Sequence, residues 1–230
     1  RGLGDVYKRQ GWYRLHFDVP GFGADKRVVL MFDGAMSHAN VYINGQKVGY
    51  WPYGYNSFHF DITKYLKPGE KNTLAVRLEN LPESSRWYPG AGLYRNVHLI
   101  VTEDAYIPVW GTYITTPSVN EKFAKVNVLT KVVLPEGADP AKYSVETSVW
   151  NPNKQKLTAV RTSLAQMKYN NDQAEQEFVI QDPSLWSPEM PALYSAETRL
   201  YEGDKLKDVY TTPFGIRSIE IIPDKGFFLN

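Results

Sequence analysis

Apolar and polar residues alternate along most of this chain, and a period of two places every second side chain on one face, as a β-strand does. In the segment WYRLHFDVP, Tyr13, Leu15, Phe17 and Val19 share one face, and Arg14, His16 and Asp18 share the other. The run Val28 to Phe32 (VVLMF) is apolar on both faces, as in a strand buried between layers. Phe58, Phe60 and Ile62 alternate, as do Leu74, Val76 and Leu78, and Tyr94 to Val101 reads as one more strand. Asn44-Gly45 is a hairpin signal, because both residue types tolerate positive φ. No helical stripe of useful length interrupts the pattern. One short turn is expected around Thr63 to Leu66, with Asp61 capping it and Pro68-Gly69 ending it. About seven strands in roughly ninety residues, with turn signals between them, imply a β-sandwich.

The pattern restarts after Glu103 to Pro108 with VWGTYITTP. Val126, Val128 and Val132 then share a face, and Tyr143, Val145, Thr147 and Val149 point inward in the next run. Asn151-Pro152-Asn153 makes a turn. KLTAVRTSL, AEQEFVIQ, ALYSAETRLYEGD and KDVYTTPFGIRSIEI complete the set. About seven strands in roughly 110 residues fit an immunoglobulin-like sandwich.

At 230 residues the chain is comfortable for two such units. Cysteine is absent, which removes disulfides and thiol catalysis but leaves the compartment open. With 26 basic against 25 acidic residues and no basic run, nucleic acid is not expected as a partner. No stretch of about eighteen apolar residues exists, so no membrane-spanning helix is expected either. Aromatics reach 14%, with 16 Tyr and 6 Trp, which suits strands and also suits sugar sites. The opening RGLGDVYKRQ stands apart from the rest of the chain. DVYKRQ reads like the translation of a transposon end used in preparing sequencing libraries; the other reading is a natural, slightly basic arm. Residues 1–10 are therefore expected to be a cloning or sequencing scar that packs poorly, with Gly11 near the first native residue.

The order WYRLHFDVP, then VLMFDGAMSHANVYINGQKVGYWPYGYNSFHFDITKYLKPGEKNTLAVRLEN, then SRWYPGAGLYRNVHL, resembles the sugar-binding domain of glycoside hydrolase family 2. The β-galactosidases of gut Bacteroidetes are the branch it resembles. PVWGTYITTP to PFGIRSIEI is similar to that family's immunoglobulin-like second domain, and PDKGFFLN to the linker into its (β/α)8 barrel. The resemblance implies an all-β chain: a jelly-roll β-sandwich at 11–103, an immunoglobulin-like β-sandwich at 104–221, and at 222–230 the start of a linker to a catalytic barrel that the chain lacks. It also implies a retaining exo-glycosidase as the parent protein, most similar to a β-galactosidase acting on terminal β-linked sugars.

Retaining glycosidases need two carboxyl groups about 5 Å apart, and in the family both are barrel glutamates with no counterpart here. No catalytic residue is therefore assigned, and the chain alone is expected to be inactive. Asn120-Glu121 repeats the family's acid/base dipeptide, but Thr116-Pro117-Ser118 precedes it and a surface-patterned strand follows, so a turn pair is expected there. His16, His38, His59 and His98 lie on different strands without ligand spacing, so no metal and no cofactor is expected. Gly90 and Gly92 precede a strand rather than a helix and do not form a phosphate cradle.

Two places remain for sugar. Trp51, Tyr53 and Tyr55 form an aromatic cluster that either stacks on a sugar or packs at a strand end. In the family the loop before the Gly-x-Tyr-Arg strand, here Gly92 to Arg95, reaches the barrel mouth. That makes Arg86 and Trp87 the substrate-binding candidates. The alternative for them is a surface ion pair and packing under the loop. The expected partners are the chain's own C-terminal barrel and a carbohydrate, with a homo-oligomer left open. A stand-alone carbohydrate-binding module and a structural pair of sandwiches are the competing functions.

Overall fold

Seven strands form the first half of the chain in the computed structural model, which describes residues 10–19, 23, 25–81, 86–87, 90–166 and 173–230. They are β1 (Gln10–Asp18), β2 (Lys26–Phe32), β3 (Ala39–Ile43), β4 (Gln46–Trp51), β5 (Phe58–Asp61), β6 (Lys71–Glu79) and β7 (Val97–Glu103). One sheet has the order β1-β6-β3-β4 and the other β5-β2-β7. Non-consecutive neighbours on both sheets give the crossed connections of a jelly roll. Val28, Leu30 and Phe32 from one sheet meet Val41, Ile43, Leu74, Val76 and Leu78 from the other in a single core. Each set follows the expected alternation, and β2 is apolar on both faces as its sequence requires.

Asn44 and Gly45 join β3 to β4 with φ of 51° and 81°, the pair of positive values a type I′ turn demands. The Asn44 side chain also holds the neighbouring turn. It accepts from the Thr73 amide at 3.0 Å and donates to the Tyr65 carbonyl at 2.9 Å and to Asn72 Oδ1 at 2.8 Å. Asn72 is fully buried, and it donates to the carbonyls of Lys67 and Glu70 and accepts from the Lys67 amide. With every arm engaged, the desolvation cost of burying this amide is offset by its hydrogen bonds. This network fixes the 3-10 turn at Thr63–Tyr65, the place expected for a short helix, where Asp61 Oδ1 accepts from the Thr63 amide at 2.8 Å.

Two strands differ from their sequence reading. The alternation in β1 predicts burial of Tyr13, Leu15, Phe17 and Val19; Val19 is buried, but Leu15 is 58% and Tyr13 41% exposed. β1 is an edge strand, and no described strand covers that part of its inner face. β7 begins at Val97 rather than Tyr94, because Gly92 bridges to Met36 and draws the residues after it into a loop. Gln10 already pairs with Glu79 in β1, one residue before the expected native start. The rest of the suspected scar, residues 1–9, lies outside the described residues.

The chain divides after Thr102 into a second compact unit. It contains β8 (Thr112–Val119), β9 (Phe123–Lys131), β10 (Tyr143–Trp150), β11 (Lys156–Ser163), β12 (Gln173–Gln181), β13 (Tyr194–Glu202) and β14 (Lys205–Phe214). Sheets β11-β10-β13-β14 and β12-β9-β8 enclose two apolar clusters, one around Val126, Val128 and Phe178, the other around Val145, Leu164 and Leu200. This is the four-on-three arrangement of an immunoglobulin-like sandwich. The inward positions Tyr143, Val145, Thr147 and Val149 are all buried, with Thr147 and Thr198 hydrogen-bonded at 3.1 Å across β10 and β13. Pro117 and Pro213 sit on the edge strands β8 and β14, where a missing amide costs least.

The final run does not continue as one strand. It breaks at Gly215, where a Cβ would stand 2.9 Å from the Trp186 ring, and Ile216 turns into the core. Strand β15 (Ile219–Ile222) then pairs with β16 (Gly226–Leu229) as a hairpin. The segment expected as the start of a linker is thus half of a hairpin, and the expected boundary falls inside it.

Lys207 on β14 is the most enclosed cation of the ion pairs in this unit, its side chain 8% exposed. It meets Glu103 at 2.6 Å, Asp104 at 3.4 Å and Glu202 at 3.7 Å. The hydrogen bond to Glu103 outweighs burial and holds its pKa above the usual lysine value. A raised folded-state value stabilises the fold at every pH below the unfolded lysine's, and the contribution fades only as pH climbs through the folded value. Lys207→Met should leave three carboxylates facing one another and lower stability by about 1–3 kcal/mol, less than a fully buried pair because the carboxylates are part-exposed. Urea unfolding at neutral pH would check this, with Lys205→Met, whose side chain is 67% exposed, as the near-neutral comparison.

Candidate functional site

Strand β4 ends at Trp51, and the chain crosses to β5 through Pro52 to Ser57. Trp51 turns inward and stacks on Phe58, ring centroids 5.6 Å apart. The next aromatics cannot share that space. Tyr53 and Tyr55 stand outward, 53% and 39% exposed, edge to face at 5.5 Å. The cluster therefore divides, with Trp51 packed at the strand end and the two tyrosines standing at the surface.

Trp87 joins this surface from a distant part of the sequence. Its indole Nε1 donates to the Tyr55 hydroxyl at 2.9 Å, and the ring is 63% exposed, so it does not pack beneath the loop. Arg86 beside it is exposed and has no hydrogen-bond or ion-pair partner among the described residues. Their neighbours Ser84, Ser85, Tyr88 and Pro89 lie outside the described residues.

The support beneath is specific. Met36 and Gly92 exchange backbone hydrogen bonds at 3.0 Å in both directions, tying the loop after β2 to the segment before β7. Gly92 has φ of 108°, a conformation natural only to glycine. The Tyr94 hydroxyl donates to the Gly54 carbonyl at 2.9 Å, and Gly54 itself lies against Met36 so closely that a Cβ would collide with the sulfur. Arg95 lies over the Tyr94 ring at 5.2 Å and donates to the Asp33 carbonyl at 3.4 Å. His98 Nε2 meets Asp33 Oδ2 at 2.9 Å. Arg95 and Tyr94 thus clamp the loops, and three tyrosine and tryptophan faces are presented above them.

Sequence reasoning points to Arg86, Trp87, Tyr53 and Tyr55 separately. The structure brings Trp87 and Tyr55 together; Arg86, adjacent in sequence to Trp87, is exposed and is joined to neither tyrosine by any contact. Gly54 and Met36 escape sequence reasoning as supports; the Gly between two tyrosines in WPYGY is the available signal. The other histidines scatter: His16 bonds Thr73 Oγ1, His38 bonds the Tyr50 hydroxyl, and burial lowers the His59 pKa. Among the described residues no three His, Cys, Asp or Glu side chains converge to hold a metal. Asn120 of the Asn-Glu pair accepts from the amides of Lys122 and Phe123 in the β8–β9 turn.

Known proteins match along nearly the whole chain. Residues 5–103 match the family model described as glycosyl hydrolases family 2, sugar binding domain, and residues 106–217 match that described as glycosyl hydrolases family 2. A β-galactosidase of Bacteroides ovatus is 39% identical over 96% of this chain and 26% of its own length. A putative β-glucuronidase of Formosa agariphila is 37% identical over 96% of this chain and 20% of its own length. The crystal structure of a family 2 glycosyl hydrolase of Bacteroides cellulosilyticus superposes with a TM-score of 0.87 at 32% identity, over 96% of this chain and 28% of that one. The chain therefore spans about a quarter of the length of the relatives it matches. Two family models placed end to end on two sandwiches of matching fold leave one conclusion: this chain belongs to glycoside hydrolase family 2 and carries its sugar-binding and immunoglobulin-like domains.

Proposed function

We propose that the chain is the non-catalytic front of a retaining β-galactosidase, in which Arg86 and Trp87, with Tyr53 and Tyr55 beside them, shape the subsite for a terminal β-linked sugar. The observation that carries this is the match to a β-galactosidase over 96% of the chain, combined with an exposed aromatic surface of the kind pyranose C–H faces pack on. The bonds would be cleaved by two carboxyl groups about 5 Å apart, supplied by a barrel in the rest of the polypeptide.

Several carboxylates among the described residues make structural contacts. Asp33 holds His98, Asp61 caps a turn, and Glu103, Asp104 and Glu202 hold Lys207. The chemistry left to this chain is orientation. Arg86 offers a planar fork of donors to sugar hydroxyls or to a barrel carboxylate. Trp87, tethered through Nε1, offers its face at little cost in rotamer freedom. A glucuronidase is the second reading, favoured by the relative at 37% identity. There Arg86 would meet the sugar's own carboxylate.

Two outcomes are expected. The 230-residue chain should hydrolyse neither nitrophenyl β-galactoside nor nitrophenyl β-glucuronide above background. Turnover that survives purification and disappears on substituting one of its carboxylates would overturn the reading. In the full-length enzyme, Arg86→Ala and Trp87→Ala should each lower kcat/KM on the galactoside about tenfold, roughly 1.4 kcal/mol of transition-state binding, with an unchanged melting temperature. Wild-type kinetics in both variants would make the loop scaffold, and a full-length enzyme that prefers the glucuronide would replace the galactosidase assignment.

A further inference from the structure

The core of the second unit is not apolar throughout. Thr130 on β9, Thr147 on β10, Gln176 on β12 and Thr198 on β13 each stand where the inward row of their strand passes from one apolar cluster to the other. On β9, for example, Val128 belongs to the cluster of Phe178, and Val132 to that of Leu200. The four polar residues are 0%, 0%, 2% and 0% exposed. A layer of buried, neutral, hydrogen-bonding groups therefore crosses the sandwich, from β9 and β12 in one sheet to β10 and β13 in the other.

The donors and acceptors of this layer do not all pair. Gln176 Nε2 is fully used: it donates to the carbonyls of Val145 and Val160 at 3.1 and 2.9 Å, and to Thr162 Oγ1 at 3.1 Å. Gln176 Oε1 has no partner among the described residues. Thr147 and Thr198 share one hydrogen bond at 3.1 Å, so whichever hydroxyl accepts still has a hydrogen to give. Thr130 Oγ1 has no partner among the described residues either. Its cross-strand neighbour on β8, Thr112, is hydrogen-bonded to Thr212 instead. Protein interiors seldom leave such groups unpaired, because each has given up its hydrogen bonds to solvent.

We infer that this layer binds one internal water molecule, held between Thr130 and Gln176 and reaching the Thr147–Thr198 pair of the facing sheet. The unpaired groups match the valence of a single water. It donates a hydrogen to Gln176 Oε1, and it accepts one from the Thr130 hydroxyl and one from the threonine pair. Three hydrogen bonds are typical of a buried water. The register permits the bridge. Gln176 pairs with Val128 and Thr130 with Ala174, so the two polar residues are diagonal neighbours on one face, their Cβ atoms within about 7 Å. Ala174, opposite Thr130, ends at its Cβ, so that partner puts nothing larger than a methyl beside the hydroxyl. The four side chains carry no charge to hold an ion, and apolar clusters on both sides exclude a larger polar molecule. The water ties the two sheets together at the level where apolar packing between them is interrupted.

The test uses the 230-residue chain. Thr130→Val exchanges the hydroxyl for a methyl of nearly the same shape, and Thr130→Ser keeps the hydroxyl. Magnetic relaxation dispersion of water counts the molecules that stay bound to the protein. The wild type and Thr130→Ser should each hold one long-lived water more than Thr130→Val. In urea, Thr130→Val should lower the folded-to-unfolded ratio about tenfold, because the other groups around the water lose a partner. A variant as stable as the wild type, or more stable, would overturn the inference, since the hydroxyl would then have been buried without a partner. A loss of stability with an unchanged water count would overturn it too, since Thr130 would then bond Gln176 directly. Should Thr130→Val fail to fold, a high-resolution crystal structure of the wild type decides. Water density within about 3 Å of both Thr130 Oγ1 and Gln176 Oε1 supports the site, and clear density without it rejects the site. No activity is read, so the outcome is independent of the sugar assignment.

Discussion

The jelly roll depends on where Phe58 sits. Its ring stacks on Phe32 at 4.8 Å and on Trp51 at 5.6 Å, and meets Phe60 edge to face at 5.8 Å. Phe32 and Phe58 are cross-strand partners in one sheet, while Trp51 ends a strand of the other. The stack therefore ties the two layers at one point, each ring pair adding about 0.5–1.5 kcal/mol beyond burial. Gly49 is required nearby, because the Phe60 ring occupies the place where its Cβ would stand. With Trp51 committed to the interior, the chain from Pro52 onward has to leave the core, and this is what turns Tyr53 and Tyr55 to the surface. The sugar-facing candidates are a consequence of packing beneath them.

Interior strands were legible in the sequence because both their faces, or one face continuously, are decided by burial. Leu74, Val76 and Leu78, and Tyr143 through Val149, needed only the period of two. Asn44-Gly45 was legible because so few residue pairs accept two positive φ values. Period alone says which side chains share a face, not whether anything covers that face. β1 carries a clean alternation and still exposes Leu15 and Tyr13, since coverage depends on strands elsewhere. The break at Gly215 was hidden for a related reason: its cause is the Trp186 ring, about thirty residues away in sequence, and local propensity does not report such contacts.

The site was partly legible in the same sense. WPYGY and SRW each stood out as loop aromatics, and Gly92 to Arg95 marked the support. Their meeting is a tertiary event. It needs the Met36–Gly92 bridge, the Tyr94 hydroxyl on Gly54 and the Trp87–Tyr55 hydrogen bond together, and none of these pairs is local. Gly54 shows the coupling most clearly. Its carbonyl anchors Tyr94 and its missing side chain admits Met36, so one residue sets the height of both loops.

Strand edges separate the two units, because an exposed edge invites pairing unless the sequence blunts it. The second unit blunts its own. β14 carries Lys205, Lys207, Asp208 and Pro213, β8 carries Pro117, and β11 carries Lys156 and Arg161, whose guanidinium lies over Tyr201 at 4.5 Å. β7 keeps its one carboxylate, Glu103, for its last position. It reads Val97, His98, Leu99, Ile100, Val101, and its one titrating side chain in that run is turned to Asp33. An apolar edge of this kind is tolerable in a strand that is covered in the working protein, and hazardous in one that is not. The contrast between the two units, among the described residues, is thus one of edge chemistry: charge and proline along β8, β11 and β14, apolar side chains along most of β7.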